Sequence, residues 1–131
     1  MPFDGAERFN RREEMLLKLD QVWRLLDTEE KWCKRHYGTS DGRHCLLGAL
    51  MAARAKSMLY DLLLASIHDV TGVPFKSVVQ FNDEPATNHG QILAVLDRAR
   101  LRILTGDLPC AVARRNSLIA RLIGAFVPIE A

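Results

Sequence analysis

Cys45-Leu46-Leu47-Gly48-Ala49-Leu50-Met51-Ala52-Ala53 decides the fold. The stretch carries no charge and no Pro, and it is apolar on nearly every side of a helix. A helix with that pattern is buried rather than amphipathic. Gly48, Ala49, Ala52 and Ala53 keep its surface shallow, so neighbouring elements can approach closely. The rest of the chain therefore has to wrap it.

The flanking segments supply the wrapping. Upstream, Leu16, Leu19, Trp23 and Leu26 recur at spacings of three and four, with Met15, Val22 and Leu25 beside them, which predicts a helix. Asn10 is the expected N-cap, with Glu13 three residues later as in a capping box. Residues 1–9 lack periodicity and read as a flexible N-terminal arm. Between this helix and the central one, residues 33–44 contain Gly38, Ser40, Asp41 and Gly42 and read as a loop.

Downstream, Met58 to Val70 is apolar and helical. A break from the central helix is expected near Lys56-Ser57, with Ser57 as cap, and Gly72 and Pro74 end the segment. Residues 75–81 read as a short helix, because a lone strand has no partner in this chain. Asn82-Asp83-Glu84-Pro85-Ala86-Thr87 reads as a loop in which Thr87 caps the next helix. Ile92, Leu96, Ala99 and Ile103 form that helix's inner stripe, and residues 105–109 close it. A last helix is expected from Cys110 to Phe126.

The expectation is an all-α, compact single-domain bundle of five to six helices over residues 10–131. Its core would use Leu16, Leu19, Trp23, Leu26, Leu46, Leu50, Leu62, Ile67, Leu96, Ile103, Ile119 and Leu122.

Composition agrees. At 131 residues, 48% hydrophobic and 26% charged, the chain suits one globular domain and excludes a disordered or collagen-like one. No apolar run reaches the roughly 18 residues of a membrane span, so no membrane partner is expected. Met1 to Arg8 lacks the apolar core of a secretory signal. Three cysteines are too few, and odd in number, for a disulfide scaffold. Together these make a cytoplasmic location the expectation.

Trp32-Cys33, Tyr37, Asp41-Gly42, the Cys45-to-Leu50 block, Phe81-Asn82-Asp83 and Thr87 resemble a family of small bacterial proteins catalogued only as a domain of unknown function. The resemblance covers residues 15–104. It implies a small helical fold and no assigned reaction.

Four constellations bear on function. Cys33, His36, His44 and Cys45 have zinc-ligand chemistry. However, His44 and Cys45 are adjacent, and Cys45 opens an apolar helix where cysteine packs as a small hydrophobe, so no metal and no cofactor is expected. Cys45 at a helix N-terminus, with His36, His44, His68 or His89 as base and Asn82 or Asp83 as orienting group, has the grammar of a cysteine hydrolase or transferase. Cys45, His44 and Asp83 are its candidate catalytic residues. Asn82-Asp83 reads first as turn chemistry; packed against the loop of Trp32, Tyr37 and Asp41, it would instead line a ligand pocket.

The fourth constellation is charge. The near-neutral net charge of +2 hides six arginines against one acid across residues 98–121. Arg98, Arg102, Arg114, Arg115 and Arg121 would face an acidic protein partner, or nucleic acid as the less expected alternative. No nucleotide-binding or hydrolase motif is present. The reading is a binding or accessory module acting through protein contacts, leaning away from an enzyme. The last helix leaves a homo-oligomer open.

Overall fold

A computed structural model describes residues 3–109. Its helices are α1 (Phe3–Leu26), α2 (Leu46–Ala52), α3 (Lys56–Thr71), α4 (Val78–Asp83) and α5 (His89–Thr105), with one 3-10 turn at Glu29–Lys31. There is no strand among the described residues, only two isolated bridges that His44 makes with Trp32 and Gly38. The protein is all-α. The final helix expected at residues 110–126, with Ile119 and Leu122, lies outside the described residues, as do Arg114, Arg115 and Arg121.

α2 is the centre of the fold. Leu46, Leu47, Gly48, Ala49 and Leu50 are all buried, and α1, α3 and α4 pack around it. α5 lies along both α3 and α1. Burying each leucine of α2 stabilises the fold by about 2 kcal/mol relative to exposure. Leu19, Leu26, Leu62, Ile67, Leu96 and Ile103 join this core, whereas Leu16 and Trp23 pack on its margin, only partly buried.

Helix ends explain where the sequence reading departs from the structure. α1 begins at Phe3, so Asn10 lies within the helix and does not cap it. α5 is capped by Asn88, not Thr87. Asn88 accepts from Gln91 N at 2.9 Å while Gln91 Oε1 accepts from Asn88 N at 3.2 Å, a reciprocal capping box. Thr87 is buried beneath it. Asn82 and Asp83 form the last turn of α4 rather than a loop.

The α2–α3 break falls at Ala53–Ala55, not at Ser57. Arg54 adopts φ 55° there. Arg54 N donates to Met51 O at 3.0 Å and Ala55 N to Leu50 O at 2.8 Å, the two bonds of a Schellman motif. Gly72 and Gly106 take the same left-handed conformation after α3 and α5. Glycine adopts it freely, but an L side chain strains it by about 1–2 kcal/mol. Arg54→Gly should therefore raise stability by about 0.5–1 kcal/mol, read as a higher urea midpoint at unchanged slope.

Candidate functional site

The segment from Trp32 to His44 crosses from α1 to α2 without helix or strand, yet it is pinned throughout. His44 N donates to Lys31 O at 2.8 Å and Cys33 N to His44 O at 3.0 Å. These two bonds register Trp32 beside His44 as in a parallel ladder. The next rung of that ladder would run from Leu46 N to Cys33 O. The Asn82 amide stands in that place instead: Leu46 N donates to Asn82 Oδ1 at 3.0 Å, and Asn82 Nδ2 donates to Cys33 O at 3.1 Å. A side-chain amide thus takes the place of a peptide group between two diverging segments.

Asn82 is saturated by two further bonds. Trp32 Nε1 donates to its Oδ1 at 2.7 Å, and its Nδ2 also donates to Asp83 Oδ1 at 3.0 Å. Its side chain is fully buried, and a buried amide is tolerable only when satisfied in this way. Asp83 Oδ1 also accepts from Arg35 N at 2.8 Å. That bond holds Arg35 at φ 69°, left-handed backbone for a residue with a long side chain. Lys34 Nζ donates to Glu84 O at 2.7 Å, capping the carbonyl end of α4. Trp32 lies against the His89 ring, which in turn binds the Leu26 carbonyl at 2.6 Å.

The loop also rests directly on α2. Cys45 N donates to Tyr37 O at 3.3 Å, and a Cβ placed on Gly48 would overlap the Tyr37 carbonyl. The small residue at position 48 therefore serves the loop rather than another helix.

Two hollows flank the segment. An open cleft of about 650 Å³ is lined by Trp32, Cys33, Lys34, Asp41 and Arg43 among others. A smaller cavity of about 430 Å³ is lined by Arg35, His36, Tyr37, Cys45, Val79 and Asp83. The five residues expected to share a pocket are thus divided. Trp32 and Asp41 face the cleft, Tyr37 and Asp83 face the cavity, and Asn82 is buried between the segments it joins. In the cleft, Asp41 accepts from the Thr39 hydroxyl and pairs with Arg43 at 3.3 Å.

Cys45 is 3% exposed. Its Sγ accepts from Gly48 N at 3.2 Å, so it is the N-cap of α2. Burial pushes its thiol up, against the lowering effect of the Gly48 and Leu47 amides. Burial also raises Cys33, and the nearby Cys45 adds to that rise. Cys33 Sγ donates to His36 O at 3.4 Å. Cys33, His36, His44 and Cys45 do not converge: among the described residues no group of three or more His, Cys, Asp or Glu is arranged to hold a metal ion.

Arg98 and Arg102 are engaged inside the protein. Arg102 grips Asp69 with Nε at 2.6 Å and Nη2 at 3.2 Å, and Arg98 Nε reaches the same carboxylate at 2.8 Å. The Arg102 side chain is only 14% exposed. These bonds clamp α3 to α5, and they hold the Asp69 carboxyl down at about 2, Arg102 contributing most. An acid with a depressed folded pKa adds stability that is complete above its unfolded value and fades as the group protonates. Asp69→Asn should cost about 1–2 kcal/mol at neutral pH after solvent screening. The deficit against the unmodified protein should shrink as pH falls from about 4 towards 2, as followed by urea titrations at each pH.

Fold and site together define a small helical domain that presents one pinned, irregular segment from a buried core. Residues 11–102 match the model of DUF6197, a family of unknown function, and the chain belongs to that family. No curated protein and no solved structure matches it.

Proposed function

We propose that the protein is a binding module acting through protein–protein contacts, with the segment from Trp32 to Arg43 as its contact face. One observation carries the reading. Arg35, His36 and Tyr37 are exposed, Tyr37 by 59%, on backbone fixed from beneath by Asp83, Asn82 and Gly48. Ordering a loop before its partner arrives removes an entropic cost of binding, and Tyr and Arg are the residue types that anchor interfaces. Arg35 suits an acidic group on the partner. The Arg98 and Arg102 face is less suited, because Asp69 and Asp107 already pair with it. No described helix is long and apolar enough to cross a membrane, and a reducing cytoplasmic setting fits the free thiols of Cys33 and Cys45.

The test is a photo-cross-linking amino acid placed in living cells at position 37, and at position 101 on exposed α5 as control. The reading expects a discrete adduct at 37 that Arg35→Glu abolishes, with none at 101. Equal labelling at both positions, or an adduct indifferent to Arg35→Glu, refutes it.

One observation favours a second reading, a cysteine-dependent hydrolase or transferase: Cys45, His36 and Asp83 line one cavity. It requires a reachable thiolate, whereas burial raises the Cys45 thiol. Under native conditions iodoacetamide should label Cys33 at least tenfold faster than Cys45. Faster labelling of Cys45 would favour the enzyme.

A further inference from the structure

Cys33 and Cys45 occupy consecutive places on the two segments that His44 and Trp32 bring into register. Trp32 (φ −105°, ψ 143°) and Cys45 (φ −83°, ψ 174°) are both extended. Cys33 and Cys45 therefore follow the bridge directly, held by the Cys33 N to His44 O bond just before the segments diverge around the Asn82 amide. Adjacent extended segments run about 4.8 Å apart, and disulfides join Cα atoms about 4.4–6.8 Å apart. In parallel register, side chains of paired residues stand on the same side. Both residues also meet the same short stretch of loop, and Cys45 lines one cavity with His36 and Tyr37. Cys33 Sγ bonds His36 O, and Cys45 N bonds Tyr37 O. That the Cys45 charge is felt at Cys33 agrees with this closeness.

The two differ in access. Cys33 lines the open cleft, while Cys45 is buried and lines the neighbouring cavity, with His36 common to both hollows. This is the arrangement of an attacking thiol with a resolving thiol beside it.

We propose that Cys33 and Cys45 form an oxidisable pair whose reactant is a hydroperoxide. The Cys33 thiolate attacks one peroxide oxygen, the O–O bond breaks, and the second oxygen leaves as water after taking up a proton. Cys33 is then a sulfenic acid. The Cys45 sulfur attacks the Cys33 sulfur, the S–O bond breaks, and the departing hydroxide takes the Cys45 proton as a second water. Two thiols and one hydrogen peroxide give one disulfide and two waters. The product unmakes two bonds of the resting fold: Cys33 no longer donates to His36 O, and the Cys45 sulfur becomes a poorer acceptor for Gly48 N. The inference stands apart from the binding role above.

Hydrogen peroxide in excess, added to the full chain under native conditions, tests it. Trypsin cuts after Lys31, Lys34, Arg43 and Arg54, so the pair would join Trp32-Cys33-Lys34 to the peptide of residues 44–54. Mass spectrometry without reductant should find that joined peptide, lighter by two hydrogens than the sum of its parts, on monomeric protein. Cys45→Ser keeps an N-cap acceptor on α2. In that variant the joined peptide should be lost and Cys33 should accumulate two added oxygens. The proposal is overturned if the unmodified chain yields oxygenated Cys33 with reduced Cys45, a disulfide between two chains, a link to Cys110, or no change.

Discussion

Gly48→Ala should destabilise the protein by about 3 kcal/mol or more, although it adds one methyl group to a helix and improves helix propensity. Replacing Gly by Ala inside a helix ordinarily gains about 1 kcal/mol. Here the new Cβ would occupy the position of the Tyr37 carbonyl. A flexible side chain could swing aside, but this obstacle is backbone, held by Cys45 N. Moving it disturbs the turn closed by Thr39 N to Arg43 O, and beyond it the strained Arg35. Overpacking alone costs about 1–3 kcal/mol, and the loosened bonds add to it. The expected readout is a melting temperature lower by roughly 10 °C or more. Ala49→Gly in the same turn provides the contrast: it should lose only propensity and a buried methyl. Equal small losses at 48 and 49 would show that the loop does not rest on α2.

What could be read beforehand followed how far each cause acts along the chain. Gly72 and Gly106 stop α3 and α5 through their own backbone freedom, so those ends are legible locally. The end of α2 is not, because Arg54 takes the same left-handed turn with nothing in its side chain to announce it. Thr87 and Asn88 are both able caps; only the partner Gln91, three residues beyond Asn88, distinguishes them. Asn82-Asp83 reads as a turn because Asn and Asp usually bond their own neighbourhood. Here Asn82 commits its amide to Trp32, Cys33 and Leu46, from 36 to 50 residues away, and no local pattern encodes that distance. The arginines of α5 teach the same lesson. Their clustering is visible in the sequence, but Asp69, which pairs with two of them, lies on another helix.

The Asn82 amide makes the sharpest demand on chemistry rather than shape, and its substitution has the other large expected effect. Asn82→Ala takes the partner from Leu46 N, which is buried, and from Trp32 Nε1 and Cys33 O, which are partly so. Each unmet group costs about 1–3 kcal/mol, and some will find water once the segment loosens, so the net loss should be about 3–5 kcal/mol. Trp32 reports it directly: its fluorescence should change as the indole N–H loses its acceptor, and the segment's amides should exchange with solvent far sooner. Asn82→Asp separates the two halves of the amide. A carboxylate still accepts from Trp32 and Leu46, but it cannot donate to Cys33 O, and it sets a buried charge beside Asp83. Burial and that neighbour favour the protonated acid, so its folded pKa lies above the unfolded value of about 3.9. The sign follows: the Asn82→Asp variant is least stable at neutral pH, and its deficit narrows as pH falls towards 4, where the new acid protonates and donates again. Stability curves for Asn82→Ala should show no such narrowing. Parallel pH dependence in the two variants would mean that the amide's donor half does not matter, and that Asn82 does not complete the ladder between Cys33 and Leu46.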